Sequence, residues 1–131
     1  MSLDSPFVHK VWNEQELEEM VEGGAPFAIA TDPAGAVGTA YHVFDEISCM
    51  DNRGTFILDP NGIVVAYEIL TPPVGRNIDE ILRQIRAFQL IQQDTTQVTP
   101  SGWTPGKTTL KPNDDLVGNV WKEWDVKESK V

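Results

Sequence analysis

The sequence predicts a mixed α/β fold, and two consecutive segments carry the prediction. Residues 55–58 and 63–70 are apolar runs on either side of an Asp-Pro-Asn-Gly turn. Proline presets the first turn angle and glycine supplies the left-handed residue, so a β-hairpin is expected. Asn77, followed three residues later by Glu80, indicates the start of an amphipathic helix that runs to about Gln93. At 131 residues, with 40% hydrophobic and 23% charged residues, the chain has the size and composition of one globular domain.

Two helical signals precede this hairpin. Ser5 followed by Pro6 predicts a helical turn, because proline at the first helical position sacrifices no hydrogen bond. Asn13 followed by Glu16 resembles a capping box and predicts a second, acidic helix that ends near residues 23–24. The N-terminal part of the chain is therefore expected to be helical.

The remaining segments are expected to be short or irregular. Residues 26–30 are a brief apolar run that predicts a four-residue strand, and residues 32–35 predict a turn or a helix start. From Thr95 onward, prolines and glycines are too frequent for a long regular element. This last segment keeps three tryptophans, which are most simply packing anchors: Trp103, Trp121 and Trp124.

Charge and composition argue against several classes of function. Residues 14–80 hold 13 acidic residues against only Arg53 and Arg76, in a chain of net charge −10, so nucleic-acid binding is not expected. No apolar run approaches the roughly 18 residues of a membrane span, and no basic and apolar leader opens the sequence. The single cysteine, Cys49, cannot form an internal disulfide, which favours a reducing cytoplasm.

Short segments along the chain, in collinear order, together match the pattern of a known family. They are SLDSPFVHKVW at 2–12, TDP at 31–33, AYHV at 40–43, RGTFILDP at 53–60, PVGRNIDE at 73–80 and PSGWTPG at 100–106. The chain resembles the peroxiredoxin family, specifically the alkyl hydroperoxide reductases and two-cysteine peroxidases with a thioredoxin-like fold. The resemblance covers nearly the whole chain.

Two departures from the family pattern limit what the resemblance implies. The family's peroxidatic cysteine lies in a Pro-x-x-x-Thr-x-x-Cys motif upstream of every matching segment, and Thr99 stands where a resolving cysteine would precede the proline of the C-terminal arm. The implied fold is a partial thioredoxin-like α/β fold that lacks the first βαβ unit. Residues 1–94 would be the C-terminal part of that domain and residues 95–131 a loop-rich C-terminal arm. The resemblance implies that this arm wraps a partner subunit, a role that its tryptophans would also suit.

The resemblance also assigns candidate site residues. Arg53 would lie beside the peroxidatic sulfur, where a guanidinium favours the thiolate and donates hydrogen bonds to the peroxide; the alternative is a strand-end arginine paired with an acid. Arg76 would lie near the same site, with a surface role as the alternative. Cys49 is near Arg53 in the sequence, which would stabilise a thiolate, but it lies outside the family motif and near Asp45 and Glu46, which oppose one. A semi-buried, inert thiol is favoured there over a redox-active one.

Other catalytic classes have weaker support. His9 and His42 lack the paired spacing of metal ligands, so structural histidines and no metal site are expected. Ser5 and Ser48 lack the glycines of a nucleophile elbow, which argues against a hydrolase.

Taken together, the resemblance implies a fragment related to thiol-dependent reduction of hydrogen peroxide and organic hydroperoxides, inactive alone and without a cofactor. Expected partners are a second copy of the chain, a separate polypeptide carrying the first half, and a thiol reductant such as thioredoxin, since a two-stranded ribbon is marginal by itself. The alternatives are a non-catalytic, acidic, self-associating thioredoxin-like interaction protein, or a redox sensor at Cys49. Met1 stands where the family has an interior strand residue, as expected if an upstream stop codon read as selenocysteine interrupted the reading frame.

Overall fold

A computed structural model describes residues 1–129, which fall into two compact units. The first unit spans Met1–Arg76 and the second begins at Asn77. The domain boundary predicted between residues 94 and 95 stays a prediction, and residues 130–131 of the predicted arm lie outside the described residues. No helix in the described part of the chain is long and apolar enough to cross a membrane.

The first unit opens with one helical segment rather than two. Its parts are α1 (Pro6–Trp12), a π-helical stretch (Asn13–Leu17) and α2 (Glu18–Met20). The predicted cap at Ser5 is confirmed, because its hydroxyl accepts a hydrogen bond from the backbone N–H of Val8 at 3.3 Å. The predicted cap at Asn13 is wrong: its backbone is helical, and its side-chain oxygen accepts from the backbone N–H of Ala25 at 2.9 Å. Asn13 therefore ties the returning chain to the helix.

The strand predicted at residues 26–30 is wrong, since the nearest pairing is one isolated parallel bridge between Ser2 and Thr31. A strand needs a neighbour along its whole length, and only this bridge supplies one in the described residues. The turn predicted at residues 32–35 is confirmed. The buried carboxylate of Asp32 accepts from the backbone N–H of Gly38 at 2.8 Å, and this bond orients the start of α3 (Ala36–Ala40).

Two antiparallel hairpins complete the first unit. The smaller joins β1 (Phe44–Asp45) to β2 (Met50–Asp51) and was not predicted, because two-residue strands carry no periodicity. The larger joins β3 (Arg53–Leu58) to β4 (Val64–Leu70) and confirms the predicted hairpin. Its turn has the expected chemistry: Gly62 has φ 80° and donates its N–H to the carbonyl of Asp59 at 2.9 Å.

The second unit is built on α4 (Ile78–Gln93), which confirms the predicted helix. Its cap is the side-chain oxygen of Asn77, which accepts from the backbone N–H of Glu80 at 3.1 Å. Beyond it lie an isolated bridge between Val98 and Leu110 and short helical turns, namely Asp114–Leu116, α5 (Val120–Glu123) and Val126–Ser129.

Of the tryptophans in this segment, Trp103 is buried and donates its indole N–H to the carbonyl of Lys107 at 3.1 Å. Trp124 is partly buried, whereas Trp121 is 73% exposed. The expectation that Trp121 packs within the chain is therefore wrong for residues 1–129, whereas its contact with a partner subunit stays a prediction. Trp103 fits the predicted role.

Few apolar side chains are buried. In the described part of the chain, the buried ones are Val43, Trp103 and Leu110. Many large apolar side chains are exposed, among them Phe7, at 81%, on α1 and Tyr67 on β4. In residues 1–129 the exposed large apolar side chains therefore outnumber the buried ones.

Candidate functional site

Arg53 lies at the open end of the larger hairpin. It is the first residue of β3 and is paired with Leu70, the last residue of β4. Its Nε donates a hydrogen bond to the backbone carbonyl of Pro72 at 2.7 Å, and the side chain is exposed. Within residues 1–129 its two terminal nitrogens make no hydrogen bond, so their N–H groups remain available to a ligand.

Arg76 reaches the same end of the hairpin from the chain that follows β4. Its Nε donates to the hydroxyl oxygen of Thr55 at 2.9 Å, and its Nη2 donates to the carbonyl of Gly54 at 3.0 Å. Thr55 is two residues beyond Arg53 in β3, and alternate side chains of a strand share a face. The structure therefore brings both arginines to one face of the hairpin.

Neither guanidinium has an acidic partner among residues 1–129, where the ion pairs are Lys10–Glu14 and Arg83–Glu80. The acid-paired arginine considered as the alternative for Arg53 is therefore not found in that range. Hydrogen bonds to neutral oxygens fix a guanidinium without compensating its charge. This end of the hairpin carries two guanidinium groups without an ion-pair partner among residues 1–129, and such groups can stabilise an anion. A role of Arg53 and Arg76 at a peroxide site stays a prediction.

Cys49 is exposed, which contradicts the expected semi-buried thiol. It lies in the tight turn between β1 and β2 with φ 53°, and its Sγ lies 3.6 Å from the carbonyl oxygen of Glu46. The hydroxyl of Ser48 and the backbone N–H of Ile47 donate to Asp45 and lower the pKa of that carboxyl. Within residues 1–129 the hydrogen-bond partner of the thiol is a backbone carbonyl and not a cationic side chain. Cys49 therefore lacks the basic neighbour of an activated thiol.

The two histidines are not brought together as a site. His9 is buried, with Nε2 at 2.7 Å from the hydroxyl oxygen of Ser2, while His42 is exposed. The Ser2 hydroxyl donates to the carboxylate of Asp4 at 2.9 Å. A serine whose hydroxyl donates its hydrogen bond to a carboxylate does not donate it to a histidine base, so Ser2 is not an activated nucleophile. This network joins the first residues to α1.

The two candidate serines considered for a hydrolase have local roles. Ser5 caps α1, and Ser48 donates its hydroxyl to Asp45 at 2.6 Å. The sequence did not identify Thr55 and Gly54, whose oxygens accept hydrogen bonds from Arg76. They lie 21 and 22 positions before Arg76, and no local sequence pattern predicts a contact over that separation.

Solved structures similar to this chain are peroxiredoxins. The reduced 2-Cys peroxiredoxin of Plasmodium vivax matches with a TM-score of 0.78 and 29% sequence identity, over 87% of this chain and 58% of that one. The AhpC of Enterococcus faecalis matches with a TM-score of 0.68 and 33% identity, over 76% of this chain and 57% of that one. This chain therefore shares the thioredoxin-like fold of the matched part of these peroxiredoxins.

Family models and curated relatives agree with this class. The model of the AhpC/TSA family matches residues 1–67, and that of the C-terminal domain of 1-Cys peroxiredoxin matches residues 87–124. The chain belongs to the AhpC/TSA family of peroxiredoxins, which confirms the resemblance seen in the sequence.

Two relatives show the extent of the match. The selenocysteine-containing peroxiredoxin PrxU of Peptoclostridium acidaminophilum is 57% identical over 130 residues, covering 98% of this chain and 64% of that protein. The alkyl hydroperoxide reductase C of Ferdinandcohnia aciditolerans is 36% identical over 119 residues, covering 91% of this chain and 69% of that protein. The chain thus spans about two thirds of the length of these relatives.

Proposed function

We propose that this chain is the C-terminal part of a peroxiredoxin that reduces hydrogen peroxide and organic hydroperoxides, and that it supplies Arg53 and Arg76 to the peroxide site. The observation that carries the proposal is the pair of guanidinium groups on one face of the β3–β4 hairpin, each bonded only to neutral oxygens within residues 1–129. Two uncompensated cations favour an anion at that face. A thiolate or selenolate and the oxygen leaving a peroxide are such anions.

The attacking residue is proposed to lie in a segment that precedes this chain in the whole protein. The first relative is longer than the chain, which covers 64% of it. The C-terminal domain model matches residues 87–124, near the end of the chain, which supports an upstream position for the remaining length. That relative is named as containing selenocysteine. We therefore place a selenocysteine, or the cysteine equivalent to it, in the upstream segment.

The proposed reaction consumes one peroxide and two equivalents of a thiol reductant. The selenolate or thiolate attacks one peroxide oxygen, the O–O bond breaks, and the selenium or sulfur is oxidised by two electrons to a selenenic or sulfenic acid. The other oxygen leaves as hydroxide or alkoxide and takes a proton from water. Two equivalents of a thiol reductant then reduce the selenenic or sulfenic acid back to the selenol or thiol, and water and the disulfide of the reductant are released.

The arginines act on charge in the first step. A guanidinium beside the attacking atom favours its ionised form, and N–H groups directed at the departing oxygen stabilise the charge that develops there. Arg53 retains both terminal nitrogens for this purpose in the described residues. Arg76 retains Nη1.

The proposed partners follow from the exposed surfaces. Phe7, Tyr67 and other exposed apolar side chains support association with a second copy of the chain and with the segment that completes the fold. A thiol reductant such as thioredoxin and a cytoplasmic location are part of the same proposal.

The first experiment reads the DNA upstream of the codon for Met1. An in-frame Pro-x-x-x-Thr-x-x motif followed by a cysteine codon or by a UGA codon is expected. If the upstream frame encodes no such motif, the proposal that a preceding segment supplies the attacking residue fails.

The second experiment assays the extended protein, which is this chain together with the segment encoded upstream of Met1, with any UGA codon replaced by a cysteine codon. Arg53→Ala should lower kcat/KM for hydrogen peroxide, because about 2–4 kcal/mol of transition-state stabilisation is lost. Arg53→Lys should recover little, because lysine lacks the planar fork. Arg86→Ala is the matched control, since Arg86 is exposed on α4. A rate unchanged by Arg53→Ala would favour the non-catalytic interaction protein.

A further inference from the structure

Thr55 contacts one of the two proposed site arginines through its hydroxyl group. Its Oγ1 accepts a hydrogen bond from Nε of Arg76 at 2.9 Å. We infer that Thr55 is a positioning residue that keeps the charge of Arg76 available to the peroxide site. This inference rests on the proposed function.

The contact is one of two that orient the guanidinium of Arg76. The carbonyl of Gly54 accepts from Nη2 at 3.0 Å, so Nε and Nη2 are both bonded to β3. Two bonds from one planar group fix its orientation as well as its position. Arg76 itself is exposed and lies outside any helix or strand. The position of its side chain therefore depends on these bonds rather than on a rigid element.

A competing partner for Arg76 lies next to Thr55. Glu68 of β4 is paired directly with Thr55, and paired residues of antiparallel strands present their side chains on the same face with Cβ atoms about 5 Å apart. A carboxylate is a stronger partner for a guanidinium than a hydroxyl group is. In the described residues, however, Arg76 forms no ion pair.

The hydroxyl therefore has a consequence for charge. While Arg76 is held by Thr55 and Gly54, its positive charge is not neutralised by Glu68. Without the hydroxyl of Thr55, Nε of Arg76 would need another acceptor, and the carboxylate of Glu68 is on the neighbouring paired residue of β4. An arginine paired with Glu68 would stabilise a selenolate, a thiolate or a departing oxygen less, because opposite charges at close range compensate each other.

The test uses the extended protein and substitutions that differ only in the hydroxyl. Thr55→Val keeps the branched shape and removes the acceptor, whereas Thr55→Ser keeps the acceptor. Thr55→Val should lower kcat/KM for hydrogen peroxide between about tenfold and a hundredfold, the effect of losing a hydrogen bond to a charged group, and Thr55→Ser should stay within about threefold. Thr95→Val is the control, since Thr95 is exposed and outside the site.

A second substitution separates the effect on charge from a loss of structure. Adding Glu68→Gln to Thr55→Val should restore most of the lost rate, because the competing carboxylate is gone. A merely structural role of Thr55 would show no such rescue. Failure of Glu68→Gln to raise the rate of Thr55→Val would therefore overturn the charge argument.

The chain itself gives an independent readout. The side-chain Nε–H of Arg76, assigned by its loss in Arg76→Lys, should exchange slowly with water in the parent and in Thr55→Ser, and rapidly in the double variant of Thr55→Val and Glu68→Gln. Unchanged exchange in that double variant would overturn the inference. In the extended protein, if the Thr55→Val variant keeps the parent's kcat/KM while the Arg53→Ala variant loses it, the inference about Thr55 is overturned and the proposed function is not. If the extended parent protein shows no peroxidase turnover, the proposed function is overturned as well.

Discussion

Replacing Arg83 by lysine should destabilise the second unit, because a lysine cannot reproduce the three hydrogen bonds of the guanidinium. Nε and Nη2 donate to the two carboxylate oxygens of Glu80 at 2.6 and 2.7 Å, and Nη1 donates to the carbonyl of Trp103 at 3.1 Å. The same side chain thus joins the first turn of α4 to the loop that holds the buried Trp103.

The structure sets the size of the effect between two limits. An exposed ion pair three or four residues apart on a helix contributes about 0.3–0.5 kcal/mol, and a buried hydrogen bond to a charged group about 1.5–3 kcal/mol. The side chains of Arg83 and Glu80 are 22% and 40% exposed, so the pair lies between these cases. Loss of the fork and of the bond to Trp103 should therefore lower the free energy of unfolding by about 1–2 kcal/mol.

Urea unfolding followed by circular dichroism and tryptophan fluorescence measures this free energy. Lys10→Met is the matched control, because the Lys10–Glu14 pair is separated by 3.7 Å and its side chains are 72% and 52% exposed. The control should change the free energy of unfolding by less than about 0.5 kcal/mol. If Arg83→Lys costs no more than the control, the proposed contribution of the fork is refuted.

The same contact predicts a dependence on acid. Hydrogen bonds from Arg83 and then Gln84 lower the pKa of Glu80 from 4.5 to about 2. A depressed carboxyl pKa stabilises the folded state fully above about pH 4.5, and this stabilisation is lost as the pH falls toward 2. After allowance for solvent screening of a partly exposed group, the loss is about 1 kcal/mol. Glu80→Gln should remove this part of the acid dependence, and an unchanged acid profile would contradict the argument.

Three further outcomes are expected. Sedimentation equilibrium at micromolar concentration should find a dimer or larger assembly, because side chains such as Phe7 and Tyr67 are exposed; a monomer with a cooperative melt would contradict this. The isolated chain should show no peroxidase turnover with thioredoxin or glutathione systems, and turnover that Cys49→Ser abolishes would reveal an active thiol. Gly62→Ala should lower the free energy of unfolding by about 1 kcal/mol because Gly62 has φ 80°, unlike Gly75→Ala, and equal effects would refute the role of the left-handed residue.

The parts of the fold that the sequence predicts correctly are those with local causes. The hairpin of β3 and β4 follows from its turn residues, and α4 follows from the cap at Asn77 and from its periodicity. The errors have causes outside the local sequence. Within residues 1–129, residues 26–30 have no strand to pair with beyond the bridge at Thr31. Asn13 lies inside a helix, and its side-chain oxygen accepts a hydrogen bond from the returning chain at Ala25. Tertiary contacts decided both outcomes.

The site shows the same division. Arg53 and Arg76 were identified through a family resemblance whose motifs include them, and not through composition or periodicity. Thr55 was not identified, since its bond to Arg76 joins residues 21 positions apart. The exposure of Cys49 was also not predicted, because Cys49 itself adopts the left-handed conformation and no glycine marks the turn in the sequence.

The apolar character of the hairpin links the stability of the chain to its proposed chemistry. β4 reads Val-Val-Ala-Tyr-Glu-Ile-Leu, a nearly continuous apolar run typical of a strand covered on both faces, yet Val65, Tyr67 and Ile69 are exposed. Arg53 and Arg76 lie at the open end of the same hairpin, also exposed. A segment that covered the hairpin would remove water from its apolar side chains and from around the arginines. Because charges interact more strongly where water is excluded, completing the fold would also strengthen the arginines as anion-stabilising groups. Under the proposed function, inactivity of the isolated chain and its exposed apolar surface then have one cause.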